Sequence, residues 1–168
     1  MDDWRSTYIE EIRDSYRLQR TLAERAVAQL DEEQLFRVAG EDGNSIAVLM
    51  KHVGGNLHSR WTEPFTTDGE KQDRDRDSEF ITDADDATSV RGVWERGWST
   101  LDRTLATLRP DDLARTLVIR GERTNAFKAL HRNLAHTAQH VGQIILLAKQ
   151  WKGAQWETLS IPRAPRPA

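Results

Sequence analysis

Apolar residues recur at helical spacing in four stretches of the chain. A projection at about 100° per residue gathers Trp4, Tyr8, Ile12, Leu22, Ala26 and Leu30 on one side of a first helix, Trp4 to Leu30, with Ile9 and Ala23 flanking them. Asp42-Gly43-Asn44-Ser45 then supplies turn and N-cap chemistry, because Asn and Ser side chains accept hydrogen bonds from the orphan amides of the following turn. It predicts a second helix from Ser45 to Glu63, ended by Pro64. A third, Ser89 to Leu108, buries Val93, Trp94, Trp98, Leu101 and Leu105 ahead of Pro110. A fourth, Thr124 to Trp151, closes on Lys152-Gly153 as a glycine cap. Leu117-Val118-Ile119 predicts a short extended segment and Gly121 a turn. Residues 66–87 hold Phe80 and Ile81 among dense mixed charge and predict a solvated loop. Connections this long are uncommon in compact domains and are either functional or disordered.

Four apolar stripes predict an all-α four-helix bundle, and the long loop between the second and third helices permits a crossover path. A chain of 168 residues has the size of one domain. Residues 1–163 read as that domain, with Trp156, Leu159 and Ile161 docking its end, while the proline-rich residues 164–168 are expected to fray. Cysteine is absent, which excludes disulfides, thiolate ligands and a resident thiol nucleophile and fits a reducing cytoplasm. The acidic start lacks an apolar run of signal-peptide length, and no stretch approaches the roughly 20 apolar residues of a membrane span. A cytoplasmic protein without a membrane partner is expected. Net charge is -3, with 24 basic and 27 acidic residues interspersed, which gives no footprint for nucleic acid.

Candidate chemistry lies with the histidines. His136 and His140 are four residues apart, so both imidazoles share a helix face at the edge of the buried stripe. On the second helix, His52 and Asn56 lie beside an arc of Ile46, Leu49, Met50, Val53, Leu57 and Trp61, the same kind of boundary position. Three neutral imidazoles from two neighbouring helices suit a divalent ion with at least one coordination position open. The same pattern also suits half-buried histidines that only hydrogen-bond. His58 and His131 project elsewhere and read as surface residues. Thr137 stands where an H-E-x-x-H protease carries its glutamate, which excludes that mechanism. No Asp or Glu lies within one turn of the three histidines on either inner face, so any base comes from a loop. Asn56 is placed to orient a bound ligand or to satisfy a polar neighbour. Ser15 and Gln19 interrupt the apolar face of the first helix and either face the site or satisfy buried groups.

Several stretches carry a family likeness: Gly43-Asn44-Ser45-Ile46, Lys51-His52-Val53-Gly54-Gly55-Asn56-Leu57, Thr67-Asp68-Gly69-Glu70-Lys71, Trp94-Glu95-Arg96-Gly97-Trp98, Ala135-His136-Thr137-Ala138-Gln139-His140-Val141-Gly142-Gln143-Ile144 and Leu159-Ser160-Ile161-Pro162-Arg163. On these the chain resembles the DinB/YfiT-like superfamily of metalloenzymes and, within it, a bacterial family of undescribed function. The resemblance implies a four-helix bundle with an up-down-down-up path and a three-histidine metal centre at His52, His136 and His140. It also makes Asp68 and Glu70 the nearest candidates for a loop base, against the plainer reading of a hydrated turn at Asp68-Gly69. Characterised relatives include transferases and isomerases that use low-molecular-weight thiols. The expected function is therefore a metal-dependent enzyme on a small-molecule substrate, with thiol-dependent transfer first; without cysteine, the thiol must arrive as a cosubstrate.

Two alternatives stand beside it. One is a metal-dependent small-molecule hydrolase; the other, favoured by the scarcity of acid-base groups, is a non-catalytic metal-binding or stress-related module. A cavity beside the histidines argues for an enzyme, and a plugged site for the module. Imidazole suits Zn, Ni, Fe or Mn alike. A homodimer through exposed helix faces is expected by analogy with relatives.

Overall fold

Side-chain caps set where the helices begin. The structure, a computed structural model, describes residues 4–161. Its helices are α1 (Trp4–Val27), α2 (Glu32–Phe36), α3 (Ile46–Trp61), α4 (Ala87–Thr107) and α5 (Ala126–Lys152), and its strands β1 (Thr116–Ile119) and β2 (Glu122–Asn125). Ser45 Oγ accepts from the Val48 amide at 3.2 Å, Asp86 from Ser89 at 2.7 Å and Asn125 from Lys128 at 2.8 Å. Gly153, with φ of 57°, closes α5 as expected. No helix among the described residues is long and apolar enough to cross a membrane.

The chain is thus predominantly helical, with two additions to the expected elements. Helix α2 is too short to show a period, and its one local signal is the capping box between Asp31 and Gln34. The extended segment at 117–119 is half of a hairpin, in which β1 and β2 pair antiparallel from Thr116 opposite Asn125 to Ile119 opposite Glu122. Pairing of Thr124 with Leu117 delays the last helix to Ala126. Arg120 and Gly121, both at positive φ (54° and 77°), make the two-residue turn that suits strand twist.

Three further expectations change. Residues 66–87 are not simply a solvated loop: Asp77–Phe80 form a 3-10 turn, Glu79 is buried, and the Arg74 side chain is only 6% exposed. Their charges pair with one another, which charge density along a sequence does not reveal. Trp4 is 59% exposed instead of lying in the core stripe, and Ile161 is 90% exposed, although Trp156 and Leu159 do pack against the core. The domain boundary at 163 and the tail 164–168 lie outside the described residues.

Four long helices share one core, in which Tyr16, Leu57, Trp94, Trp98, Leu101, Leu130 and Ile144 are fully buried. Contacts between α3 and α4 advance together along both helices, from Gly54 against Gly97 to His58 with Thr100 and Trp61 with Thr104, so these helices run parallel. Helix α1 runs parallel to α5, with Tyr8 bonded to His131 and Tyr16 to Asn133. Between α1 and α4 the order reverses, with Arg13 donating to the Leu105 carbonyl and Trp94 to Glu24. It also reverses between α3 and α5, where His52 meets His136 and Asn56 meets Asn133.

Backbone meets backbone where α3 crosses α4. A Cβ on Gly97 would stand 2.3 Å from the Gly54 carbonyl oxygen, and one on Gly54 would stand 2.5 Å from that of Val93. Gly97→Ala is therefore predicted to force the helices apart and lower the thermal midpoint by roughly 3–10 °C. Gly142→Ala, with nothing within 4 Å of its added Cβ, should instead gain about 0.5–1 kcal/mol of helix propensity. Equal midpoints for the two variants would contradict the close approach.

Candidate metal centre

Antiparallel packing of α3 on α5 brings His52, His136 and His140 to one point, with one ligand nitrogen from each lying within 4.8 Å of the others. His136 Nε2 stands 3.2 Å from His52 Nε2 and 3.3 Å from His140 Nε2. Two nitrogens bound at about 2.0–2.1 Å to one ion at a tetrahedral angle lie about 3.3–3.4 Å apart, so these two spacings suit nitrogens that share an ion. Hydrogen bonding alone satisfies the three atoms poorly. His52 Nδ1 donates to Glu79 Oε2 at 2.9 Å and His140 Nδ1 to Gln143 Oε1 at 2.9 Å, so both Nε2 atoms present lone pairs. Only His136 Nε2 could donate, and to one of them at a time. A single cation would accept all three lone pairs, and the donor set fits it.

The protonation states agree. Burial, reinforced by the charges of His140, His52, Arg60 and Arg74, pushes the His136 imidazole down to about 4. Burial also holds His140 below its ordinary value, against the opposing bond to Gln143. Both are neutral at pH 7, the form a metal binds. Glu79 remains a carboxylate: burial pushes it up, but hydrogen bonds from His52 and Arg74, with the Arg74 charge, outweigh this and leave it below the usual range. Arg74 grips it with Nε to Oε1 at 2.8 Å and Nη2 to Oε2 at 2.9 Å. The Phe80 ring lies 5.2 Å from that of His52.

A cavity of about 440 Å³ opens beside the centre, lined by His52, His136, Asn56 and Asn133 among others. Asn56 Oδ1 accepts from Asn133 Nδ2 at 2.7 Å, and Asn133 Oδ1 accepts from Trp61 Nε1 at 2.8 Å and the Tyr16 hydroxyl at 3.0 Å. That network commits the Asn56 oxygen, so what Asn56 offers the cavity is its N–H₂. Asp68 and Glu70 do not line the cavity. Asp68 instead accepts the Glu70, Arg120 and Gly121 amides, each at 2.8 Å, which clips the 62–86 connection to the hairpin turn. Those amide bonds, that of Glu70 first, hold its carboxyl below the usual range. Glu70 is engaged by Arg74 at 3.0 Å, Arg120 at 3.2 Å and Arg60 at 3.8 Å. Ser15 and Gln19 do not line the cavity. His58 is half-buried and bonded to Thr100 at 3.0 Å instead of standing on the surface, and His131 is exposed, stacked on Tyr8.

Neither spacing nor resemblance assigned a role to Glu79, Gln143, the cavity arginines or Glu122, which also lines the cavity. Two signals were available. Gln143 sits three residues beyond His140, on the same face. Gly55 marks a close approach, since a Cβ there would fall 2.1 Å from Glu79 Oε1.

Fold and site together define a mostly helical protein with a three-histidine group able to hold a metal ion at the edge of a polar cavity. The chain belongs to the family described as "Protein of unknown function (DUF1572)", whose model matches residues 3–165. No curated protein matches it.

The depressed His136 value has a consequence for stability. Unfolded His136 takes up a proton near pH 6.5, whereas the folded residue does so only at about 4. Between these values the unfolded state binds more protons, so stability falls as pH falls through this window. Metal-free protein should show this decline in its urea midpoint, and His136→Asn should flatten it relative to the parent. Identical pH slopes would contradict the burial of a neutral imidazole.

Proposed function

We propose that this protein is a DinB/YfiT-like four-helix bundle with an up-down-down-up path and acts as a metal-dependent enzyme on a small molecule. The helix directions support the path: α1 parallel to α5, α3 parallel to α4, and the two pairs opposed. The observation that carries the catalytic reading is the cavity of about 440 Å³ bordered by His52 and His136. A module that merely stored a metal would need no such space, and the volume suits a small organic ligand.

His52, His136 and His140 would hold the ion, whether Zn, Ni, Fe or Mn, and when bound it supplies Lewis acidity at a position left open by the protein ligands. The chain's own residues do the rest. Glu79 and Gln143 fix the tautomer and aim of His52 and His140, a task such outer partners commonly perform. Asn56 donates from its N–H₂ to a ligand in the cavity. Phe80 stands beside the His52 ring. With no cysteine in the chain, the nucleophile for the favoured reaction, thiol-dependent transfer, is a low-molecular-weight thiol cosubstrate. Hydrolysis is the second reading, favoured by Glu122, a cavity carboxylate able to accept a proton from attacking water.

Elemental analysis of protein purified without added metal tests the centre. The parent should carry close to one divalent ion per chain, and His52→Ala, His136→Ala and His140→Ala should lose it. Full occupancy in all three would contradict the site. Glu79→Gln keeps every ligand yet should weaken metal affinity about 10- to 100-fold; an unchanged affinity would remove Glu79 from this role. Incubation of metal-loaded protein with electrophiles and candidate thiols should give thiol-dependent turnover. Thiol-independent cleavage of esters or amides that is lost in Glu122→Gln would shift the assignment to hydrolysis, and no turnover of either kind would contradict an enzyme.

A further inference from the structure

Five arginines, Arg60, Arg74, Arg76, Arg120 and Arg132, line the cavity that borders His52 and His136, and the carboxylate among its lining residues is Glu122. They come from four separate places: α3, the 62–86 connection, the hairpin turn and α5. Two of them are committed elsewhere. Arg74 is held by both Glu79 and Glu70, and Arg76 lies over the Phe80 ring and beside Asp77. The remaining three are under-compensated. Arg60 and Arg120 share the single carboxylate of Glu70, at 3.8 and 3.2 Å, and Arg132 makes no ion pair among the described residues. The Arg60 side chain is 13% exposed, and its Nη1 is buried without a hydrogen-bond partner. Burial, and the charges of Arg120, Arg74 and Arg132 against the pull of Glu70, hold Arg60 below its ordinary value.

A guanidinium largely withdrawn from water, with like charges around it, is costly unless an anion compensates its charge. Counting Glu70 and Glu79 behind the wall, Glu122 on it and Asp77 beside Arg76, four carboxylates face five guanidiniums. The excess positive charge exists before any metal is bound. The planar fork of arginine matches carboxylate and phosphate oxygens in pairs, and the Asn56 N–H₂ adds a neutral donor to the same space.

We propose that the cavity beside the three histidines recognises a small molecule through a carboxylate or phosphate group bound by Arg60, Arg120 and Arg132. This names the substrate class for the enzyme reading above and rests on it for its meaning, although the anion site itself stands on the arginines alone. The anionic group anchors the molecule, and the rest of it reaches the histidines. Anchoring by a part that does not react is a common use of binding energy.

Calorimetric titration of metal-free protein with inorganic phosphate and with succinate separates the two chemistries. At least one should bind saturably, more weakly as salt is raised, and succinamide should not bind. Binding of phosphate alone assigns a phosphate ester, and of succinate alone a carboxylic acid. Arg60→Gln and Arg132→Gln should each weaken binding about tenfold or more. Arg132 is exposed, so its variant tests the proposal even if Arg60→Gln fails to fold. Absence of saturable binding by both anions, or affinity undiminished in folded Arg132→Gln and Arg60→Gln, would overturn it. His140→Ala, at the one histidine of the three that does not line the cavity, should still bind the anion while losing metal, so failure of the metal reading and failure of this one are told apart.

Discussion

The hydrogen bond from His52 Nδ1 to Glu79 joins the two halves of this structure that a reader of the chain would treat separately, a helix and a charged loop. Both groups are buried, with side chains 8% exposed. A carboxylate in such a place survives only if its oxygens are satisfied, and Arg74 satisfies them. Arg74 in turn reaches Glu70, and Glu70 reaches Arg60 and Arg120. The chain of alternating charges thus runs from the histidine centre through the 62–86 connection to the hairpin turn. Gly55 makes room for the Glu79 carboxylate against α3. The same bond sets the His52 tautomer that turns its lone pair towards His136.

The helices supply the second constraint. Gly54 and Gly97 let α3 and α4 meet at backbone distance, while the Tyr16, Trp61, Asn133 and Asn56 network ties α3, α1 and α5 together inside the core. A buried network of this kind specifies one arrangement of its helices because a shift would leave several polar groups unpaired. Asn56 and His52 lie one turn apart on α3 and both line the cavity. The network therefore positions the cavity wall with the same contacts that position the fold.

Much of this was legible in the sequence, and the reasons are physical. Periodicity marks long helices that bury one face, so α1, α3, α4 and α5 were visible, and Ser45 and Gly153 announced two of their ends. The boundary positions of His52, His136 and His140 follow from the same periodicity, but their meeting depends on which helix packs on which, and that entered through a family resemblance. Helix α2 is shorter than any period. Strand β2, Glu122-Arg123-Thr124-Asn125, is polar and exposed along most of its length, so no apolar alternation set it apart from the helix that follows. The reading of 66–87 as solvated failed because its charges find partners at specific geometry, Glu79 with Arg74 above all. Asp68 caught attention through its motif; in the fold it receives three backbone amides as a clip. The arginine wall was invisible because its members are spread from Arg60 to Arg132 and converge only after folding.

Everything at the centre depends on three imidazoles sharing one ion. X-ray absorption at the metal edge of the protein as purified addresses that directly. The first shell should be nitrogen and oxygen, with three imidazole nitrogens at about 2.0–2.1 Å if the ion is zinc, and imidazole scattering should be lost in His136→Ala. A shell of oxygen alone, or a spectrum unchanged by that substitution, would contradict it.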